Sequence, residues 1–549
     1  MDLKRTAERL LKGDVKGAFD DYSNQLERNI GLTGVIIISL SAMLGPALFV
    51  LPSLSAEIMG DGMWLAFVLA AIVVVPAALS KSELASAMPS SGGTYIYIER
   101  TYGPLFGTIA GLGLWSSFLL KAAFSLIGFT AYLAIVTAYL DVDVEITTVS
   151  LWALFIIVII NILGAKKVKA IQAPILGAAI LLLLWISVVA AFDPETDMSR
   201  PFKAAFETDV WTIAETTAFV FVAYAGVTKV AAIAGEVVEP SKNLPRGMFL
   251  SLLIATVLYA WICYVLMASL ESGWYMEDGV VREDPIGIFA EKFMGSKVAL
   301  LAAALGILTM ASMALAGVLG SSRFLFAMAR DNLLPQQLEE MNSRYETPHW
   351  PIILTGLLMA LVIIYLPVKD VAKLASGFKI MIFMVVNSCV IILRYKSSKI
   401  EWYKPEYRSP MYPWVQWFGI IAGVWLIAMM GTKAYTGAGV AVLAGILTYL
   451  SYGRKHTKSR VTPFQTFREQ FMNPSQTEME RRKVAFDAAD WNTCVEVFED
   501  IPTSTVITPV GLLNALVTAD TKVCVEVSLD LPMKTSNVSV CTLNRGNHS

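Results

Sequence analysis

Long apolar runs separated by short polar stretches organise this chain, and the run lengths carry the structural signal. Runs near 20 residues, flanked by charge or by Gly/Pro, have the length at which a helix crosses a bilayer. They predict about twelve spans: 31–59, 63–85, 104–138, 148–164, 172–192, 211–235, 247–270, 297–329, 351–367, 371–394, 416–432 and 434–452. The first run is broken near its middle by Ser41-Ala42-Met43-Leu44-Gly45-Pro46-Ala47. Proline removes a backbone donor and clashes with the preceding turn, and lipid supplies no water for the freed groups. Two readings of this break stand side by side. One is a proline kink without a ligand; the other is a pair of half-helices whose dipole ends converge on a bound molecule.

Charge orients the spans. Lys166, Lys167, Lys169, Lys242, Arg246, Arg323, Arg330, Arg344, Arg394, Lys396, Lys399, Arg454, Lys455 and Lys458 fall in one set of loops. Asp141, Asp143, Glu145, Asp193, Glu195, Asp197, Glu277, Asp278, Glu283 and Asp284 fall in the other set. Basic residues gather on the cytoplasmic side, so both termini are expected there, which an even number of spans also requires. The stretch through Arg28 is polar and mixed in charge, unlike a secretory signal, so the first span is expected to be its own anchor.

Composition agrees with this picture. Of 549 residues, 56% are hydrophobic and 16% charged, with a mean hydropathy of +0.59, far from an average soluble domain. The net charge of −2 and the lack of a basic run with interleaved aromatics argue against a nucleic-acid partner. Cys263, Cys389, Cys494, Cys524 and Cys541 have neither metal-ligand spacing nor a CxxC pair, and no cofactor is expected. Residues 1–30 read as a cytoplasmic segment, 31–452 as the membrane domain, and 453–549 as a polar tail. Within the tail a charged, helix-like stretch from Arg468 to Arg482 precedes a Thr/Val-rich, β-leaning segment. The tail reads either as a regulatory module or as a poorly ordered extension. Asn537-Val538-Ser539 fits a glycosylation acceptor that a cytoplasmic position would leave unmodified.

The sixth run holds a second weak point, Tyr224-Ala225-Gly226, where glycine and small neighbours tolerate unwinding. If the first ten spans form two five-span repeats, spans one and six correspond. Paired interruptions in corresponding helices point to a transport site at the bilayer midplane.

Several ordered motifs resemble the amino acid–polyamine–organocation permeases. Phe221-Val222-Ala223-Tyr224-Ala225-Gly226, followed by Gly235-Glu236-Val237-Val238-Glu239-Pro240-Ser241-Lys242-Asn243-Leu244-Pro245-Arg246, is similar to that family's sixth-helix signature. Ser322-Arg323-Phe324-Leu325-Phe326-Ala327-Met328-Ala329-Arg330-Asp331, with Leu334-Pro335 and Thr347-Pro348, resembles its eighth helix and following loop. Asn161-Ile162-Leu163-Gly164-Ala165-Lys166 resembles the loop before its fifth helix, and Gly45-Pro46-Ala47-Leu48-Phe49-Val50 stands where the family has GSGIF. The resemblance covers about residues 30–452 and implies a leucine-transporter-like 5+5 inverted repeat with a substrate held between helices one and six.

Physical chemistry says what each end of such a site does. A carboxylate suits the free N–H groups at a half-helix N-terminus, here Gly45-Pro46-Ala47. An ammonium suits carbonyls, which Ser41, Ala42, Met43, Phe219, Val222 and Ala223 offer beside Gly226. Tyr224 and Phe219 either close over a ligand or pack as core aromatics. Pro46 replaces a residue whose N–H relatives point at the carboxylate, although proline suits a first helical turn. That departure implies a weaker carboxylate grip, or recognition mainly through an amine. Thr228 stands where some exchangers of the family place a gating glutamate. Lys229 beside it either faces the exit path or snorkels to the inner surface.

Lys121 lies deep in the third span, where a charge is costly unless it faces a cavity or a partner. By comparison with the family, Lys121 and Ser125 face the substrate region. Buried lysines change protonation state readily. Lys121 therefore reads as a proton-coupling group, as a fixed counter-charge to a carboxylate, or as a lysine paired with a carbonyl or Glu215. The expected function is secondary active transport of amino acids by alternating access at the cell membrane, with an amino acid or related amine as substrate and a proton as coupling ion. Two alternatives remain open: an amino acid or amine exchanger without ion coupling, and a substrate sensor signalling through the tail. An enzyme is not expected, because the apolar region lacks a His/Asp/Ser constellation, a P-loop and metal ligands, and His349, His456 and His548 lie in loops or the tail.

Overall fold

The computed structural model describes residues 30–88, 93–142, 145–164, 168–342, 345, 347–395, 403–457, 464, 525–531 and 534–540. The charged stretch Arg468 to Arg482, Lys166-Lys167, and the three cysteines of the tail lie outside the described residues. Contacts divide the chain into two units, Met1–Thr457 and Lys458–Ser549.

The first unit is nearly all helix. Its opening elements are α1 (Leu32–Met43), α2 (Pro46–Phe49), α3 (Leu51–Met59), α4 (Trp64–Ala87), α5 (Thr94–Tyr102) and α6 (Pro104–Leu140). Then come α7 (Ile146–Ile162), α8 (Val168–Ala191), α9 (Arg200–Glu207) and α10 (Val210–Val220), which passes into a 3₁₀ stretch, Phe221–Glu236. The remainder is α11 (Pro240–Ser269), α12 (Pro285–Met294), α13 (Ser296–Arg330), α14 (His349–Tyr365), α15 (Val368–Tyr395), α16 (Trp414–Met429) and α17 (Thr432–Thr448). Among the described residues, eight helices are long and apolar enough to cross a membrane, and four shorter apolar helices accompany them. The protein is a multi-pass integral membrane protein.

Element ends follow local chemistry. Proline opens α2, α6, α11 and α12, where its missing N–H costs nothing. Asp209 caps α10 by accepting a hydrogen bond from the Thr212 N–H at 2.9 Å. Between α11 and α12 a small hairpin pairs β1 (Met276–Glu277) with β2 (Val280–Val281) across Asp278-Gly279, both at positive φ, as a two-residue turn requires. In the second unit, β3 (Val525–Leu531) pairs antiparallel with β4 (Lys534–Val540), Val525 opposite Val540.

The centre of the first unit is the contact of α6 with α13, joined by α15. Small residues let these helices approach. A Cβ on Gly317 would lie 2.6 Å from the Ala122 Cβ, and one on Gly111 would lie 2.4 Å from the Met328 sulfur. Proline alone does not break a span here: Pro76 and Pro245 sit inside the continuous helices α4 and α11. The break after α1 arises at Gly45-Pro46, where Leu44 and Gly45 leave the helical region before α2 begins.

At their far ends the two interrupted segments are tied by backbone. The Ile30 N–H donates to the Glu236 carbonyl at 3.1 Å, and the Val238 N–H donates to the Ile30 carbonyl at 2.9 Å. Near the start of α15, Lys369 pairs with Glu57 on α3 at 2.7 Å and Lys373 pairs with Glu215 on α10 at 3.0 Å. At the opposite end, the buried carboxylate of Glu83 on α4 is gripped by Arg394 on α15 at 2.7 and 2.6 Å. Tyr403 at 2.6 Å and the Ser409 N–H at 2.8 Å also donate to it.

Candidate substrate site

The two interruptions meet backbone to backbone. A Cβ on Gly226 would lie 2.1 Å from the Ala42 carbonyl oxygen and 2.6 Å from the Met43 nitrogen. Only glycine permits this approach. The change of winding begins at Phe221, ahead of the Tyr224-Ala225-Gly226 weak point. It frees polar groups that need partners. Ser376 on α15 satisfies two of them: its hydroxyl donates to the Phe219 carbonyl at 2.8 Å and accepts from the Val222 N–H at 3.0 Å.

Lys121 completes the junction. Its amino group donates to the Ala42 carbonyl at 2.8 Å and to the Val222 carbonyl at 3.2 Å. One side chain from α6 therefore ties the first interruption to the second. Glu215 is engaged elsewhere, with Lys373. Lys379 and Lys229 line the same cavity as Lys121.

A narrow cavity opens beside this junction. It is lined by Ser41 and Ala42 from the first interruption, Ala225 and Gly226 from the second, and the lysines Lys121, Lys229 and Lys379. Ser117 and Phe118 on α6 and Met313 on α13 also contribute to its wall.

A protein-family model described as "Amino acid permease" matches residues 30–451. The chain belongs to the amino acid permease family. The permease is 27% identical over 449 residues to the branched-chain amino acid permease BcaP of Bacillus subtilis (strain 168), covering 79% of this chain and 94% of that protein. It is 26% identical over 451 residues to the methylthioribose transporter of the same organism, covering 79% and 95%. It is 26% identical over 458 residues to the serine/threonine exchanger SteT of that organism, covering 79% and 99%. These relatives are permeases and transporters, not enzymes.

Within the permease, the predicted site residues divide into two groups. Ser41, Ala42, Lys121 and Gly226 line the cavity, and the Val222 carbonyl reaches it through Lys121. The rest stand back from it. Met43, Ala47, Phe219 and Ala223 are buried, and Pro46 opens α2 within the core. Gly45 packs against the Met313 side chain. The Ser125 hydroxyl donates to the Met310 carbonyl at 2.8 Å, joining α6 to α13. Tyr224 donates to the Phe67 carbonyl at 2.9 Å and meets Tyr259 edge to face.

Three further residues surround the junction, and of these Lys379 lines the cavity. Lys81 on α4 donates to the Thr228 hydroxyl at 2.9 Å and lies 4.7 Å from the centre of the Phe383 ring. Lys379 on α15 lies 4.8 Å from the Phe118 ring and 5.3 Å from the same Phe383 ring. Ser376 is the third. The signal for both lysines is the one that singles out Lys121, a charge inside an apolar run. Ser376 carries no such signal, because a serine in an apolar helix is ordinary.

Proposed function

We propose that this permease is a secondary active transporter that takes up amino acids by alternating access, coupled to protons through Lys121. The observation that carries this reading is the Lys121 amino group held by one carbonyl from each interrupted segment. In alternating access these segments move relative to the helices around them. A titratable group whose hydrogen-bond partners are the two moving parts links proton binding to their separation. Charged, it donates strong hydrogen bonds to both carbonyls; neutral, it holds them weakly.

The same reading has twelve spans in residues 31–452, the first ten forming a 5+5 inverted repeat. It places both termini and the tail 453–549 in the cytoplasm, and the protein in the cell membrane. The meeting of the two interruptions at Ala42 and Gly226 supports the repeat, since symmetry-related breaks converge in such an arrangement.

The test is uptake into proteoliposomes under an imposed pH gradient. An inward proton gradient is expected to drive uptake by the native protein, and Lys121→Met is expected to remove that drive. Full, still proton-driven uptake in both Lys121→Ala and Lys121→Met would exclude the coupling role. An exchanger without ion coupling is the second reading, favoured by the similarity to a serine/threonine exchanger. It requires internal substrate and ignores the pH gradient.

A further inference from the structure

The charge balance of the cavity is one-sided. Among its thirteen lining residues, three are lysine and none is Asp or Glu. Lys379 is 1% exposed. Among the described residues its ammonium has no hydrogen-bond or ion-pair partner, only the faces of Phe118 and Phe383. Lys81 approaches the same Phe383 ring from α4, so two ammonium groups lie against one aromatic ring. A cation–π contact offsets only part of the cost of burying an ammonium, and like charges in a poorly solvated site raise that cost. An anion entering the cavity relieves both.

The carbonyls tell the same story from the other side. An amino acid's ammonium group needs carbonyl oxygens where the interrupted helices meet. The Ala42 and Val222 oxygens are already occupied there by Lys121. A lysine side chain thus stands where a substrate amine would dock. The half-helix end at Gly45-Pro46 is meanwhile packed against Met313, and neither Gly45 nor Pro46 lines the cavity.

We infer that the permease takes a substrate of net negative charge, whose carboxylate lies between the ammonium groups of Lys379 and Lys121 while Lys121 fills the carbonyl pair that a substrate amine would use. The inference rests on the reading of this cavity as the transport site. The chemistry it requires is a free carboxylate in excess of any amine. An acidic amino acid meets that requirement, and so does a carboxylate without an amine.

The experiment compares uptake of leucine, lysine, glutamate and α-ketoisocaproate by the full chain in proteoliposomes, with monodispersity and thermal melting checked for each variant. Leucine and α-ketoisocaproate share a side chain and differ in the amine, so their comparison isolates net charge. The inference expects at least one of the two anions to exceed leucine and lysine by about tenfold or more. The winning anion identifies the source: glutamate an acidic amino acid, α-ketoisocaproate a carboxylate without an amine. Lys379→Gln should lose that preference, and Lys379→Arg should keep it at reduced rate. Uptake of leucine or lysine above both anions overturns the inference and leaves the transporter reading intact. A folded protein that moves none of the four overturns both. A Lys379→Gln variant that melts like the native protein and keeps the anion preference also overturns the assignment.

Discussion

Gly226 is the position where one added methyl group tests the geometry of the site most directly. A Cβ at this position would lie 2.1 Å from the Ala42 oxygen, against the 3.4 Å at which ordinary contact begins, so the segments must part by about 1.3 Å. The obstructing atoms are backbone and have no rotamer to change. Lys121 spans the same junction with bonds of 2.8 and 3.2 Å, and it cannot follow both carbonyls if they separate. Overpacking of this kind costs about 1–3 kcal/mol. A displacement near 1 Å at a positioned site costs roughly a hundredfold in rate. Gly226→Ala is therefore expected to lower the melting temperature of the purified protein and to cut initial uptake by about two orders of magnitude. Gly177→Ala on α8 is the control, because a Cβ there meets nothing within 4 Å. Native uptake and melting in Gly226→Ala would refute the backbone contact between the interruptions.

Two further outcomes concern stability. Arg394→Ala strands the carboxylate of Glu83, whose side chain is 0% exposed, and should destabilise by about 3–5 kcal/mol. The double variant Glu83→Gln/Arg394→Met should recover part of the lost melting temperature, and a native melt for Arg394→Ala would count against the buried pair. Glu283, in the loop between β2 and α12, is pushed up from 4.5 to about 7, first by burial and then by the neighbouring Asp284. Between those two values the folded chain keeps a proton that the unfolded chain releases, so stability falls as pH rises from about 4.5 to 7. The full loss is on the order of 3 kcal/mol. Glu283→Gln should flatten that part of the melting-temperature profile, and a variant profile as steep as the native one would remove Glu283 as its cause.

Much of the fold is legible in the residues, because a bilayer reduces helix prediction to the length of apolar runs. The first interruption shows in Gly45-Pro46, since that pair has no cheap conformation inside lipid. The second is harder to place: Tyr224-Ala225-Gly226 marks where the segments touch, while the winding changes earlier, at Phe221. What decides the earlier position is Ser376 on α15, whose hydroxyl serves both Phe219 and Val222. Such tertiary rescue of a broken backbone leaves no trace in the broken segment itself. Lys121 is legible as a buried charge, but its partners are carbonyls contributed by residues far away in the chain. Which side of the interruption the cavity lies on is set by side chains of α6, α13 and α15, which lie far from both interruptions in the chain.

The two hydrogen bonds joining Ile30 to Glu236 and Val238 act as a mechanical linkage. Through them, a tilt of α1 transmits force to the end of the Phe221–Glu236 stretch without passing through the cavity. The linkage is made by main-chain atoms, so a side-chain substitution at these positions leaves its donors and acceptors in place. Proline at 30 or 238 is the exception, since it deletes one of the two donors. The two interrupted segments are thereby geared together at a point outside the cavity lining, so displacing one while both bonds hold displaces the other.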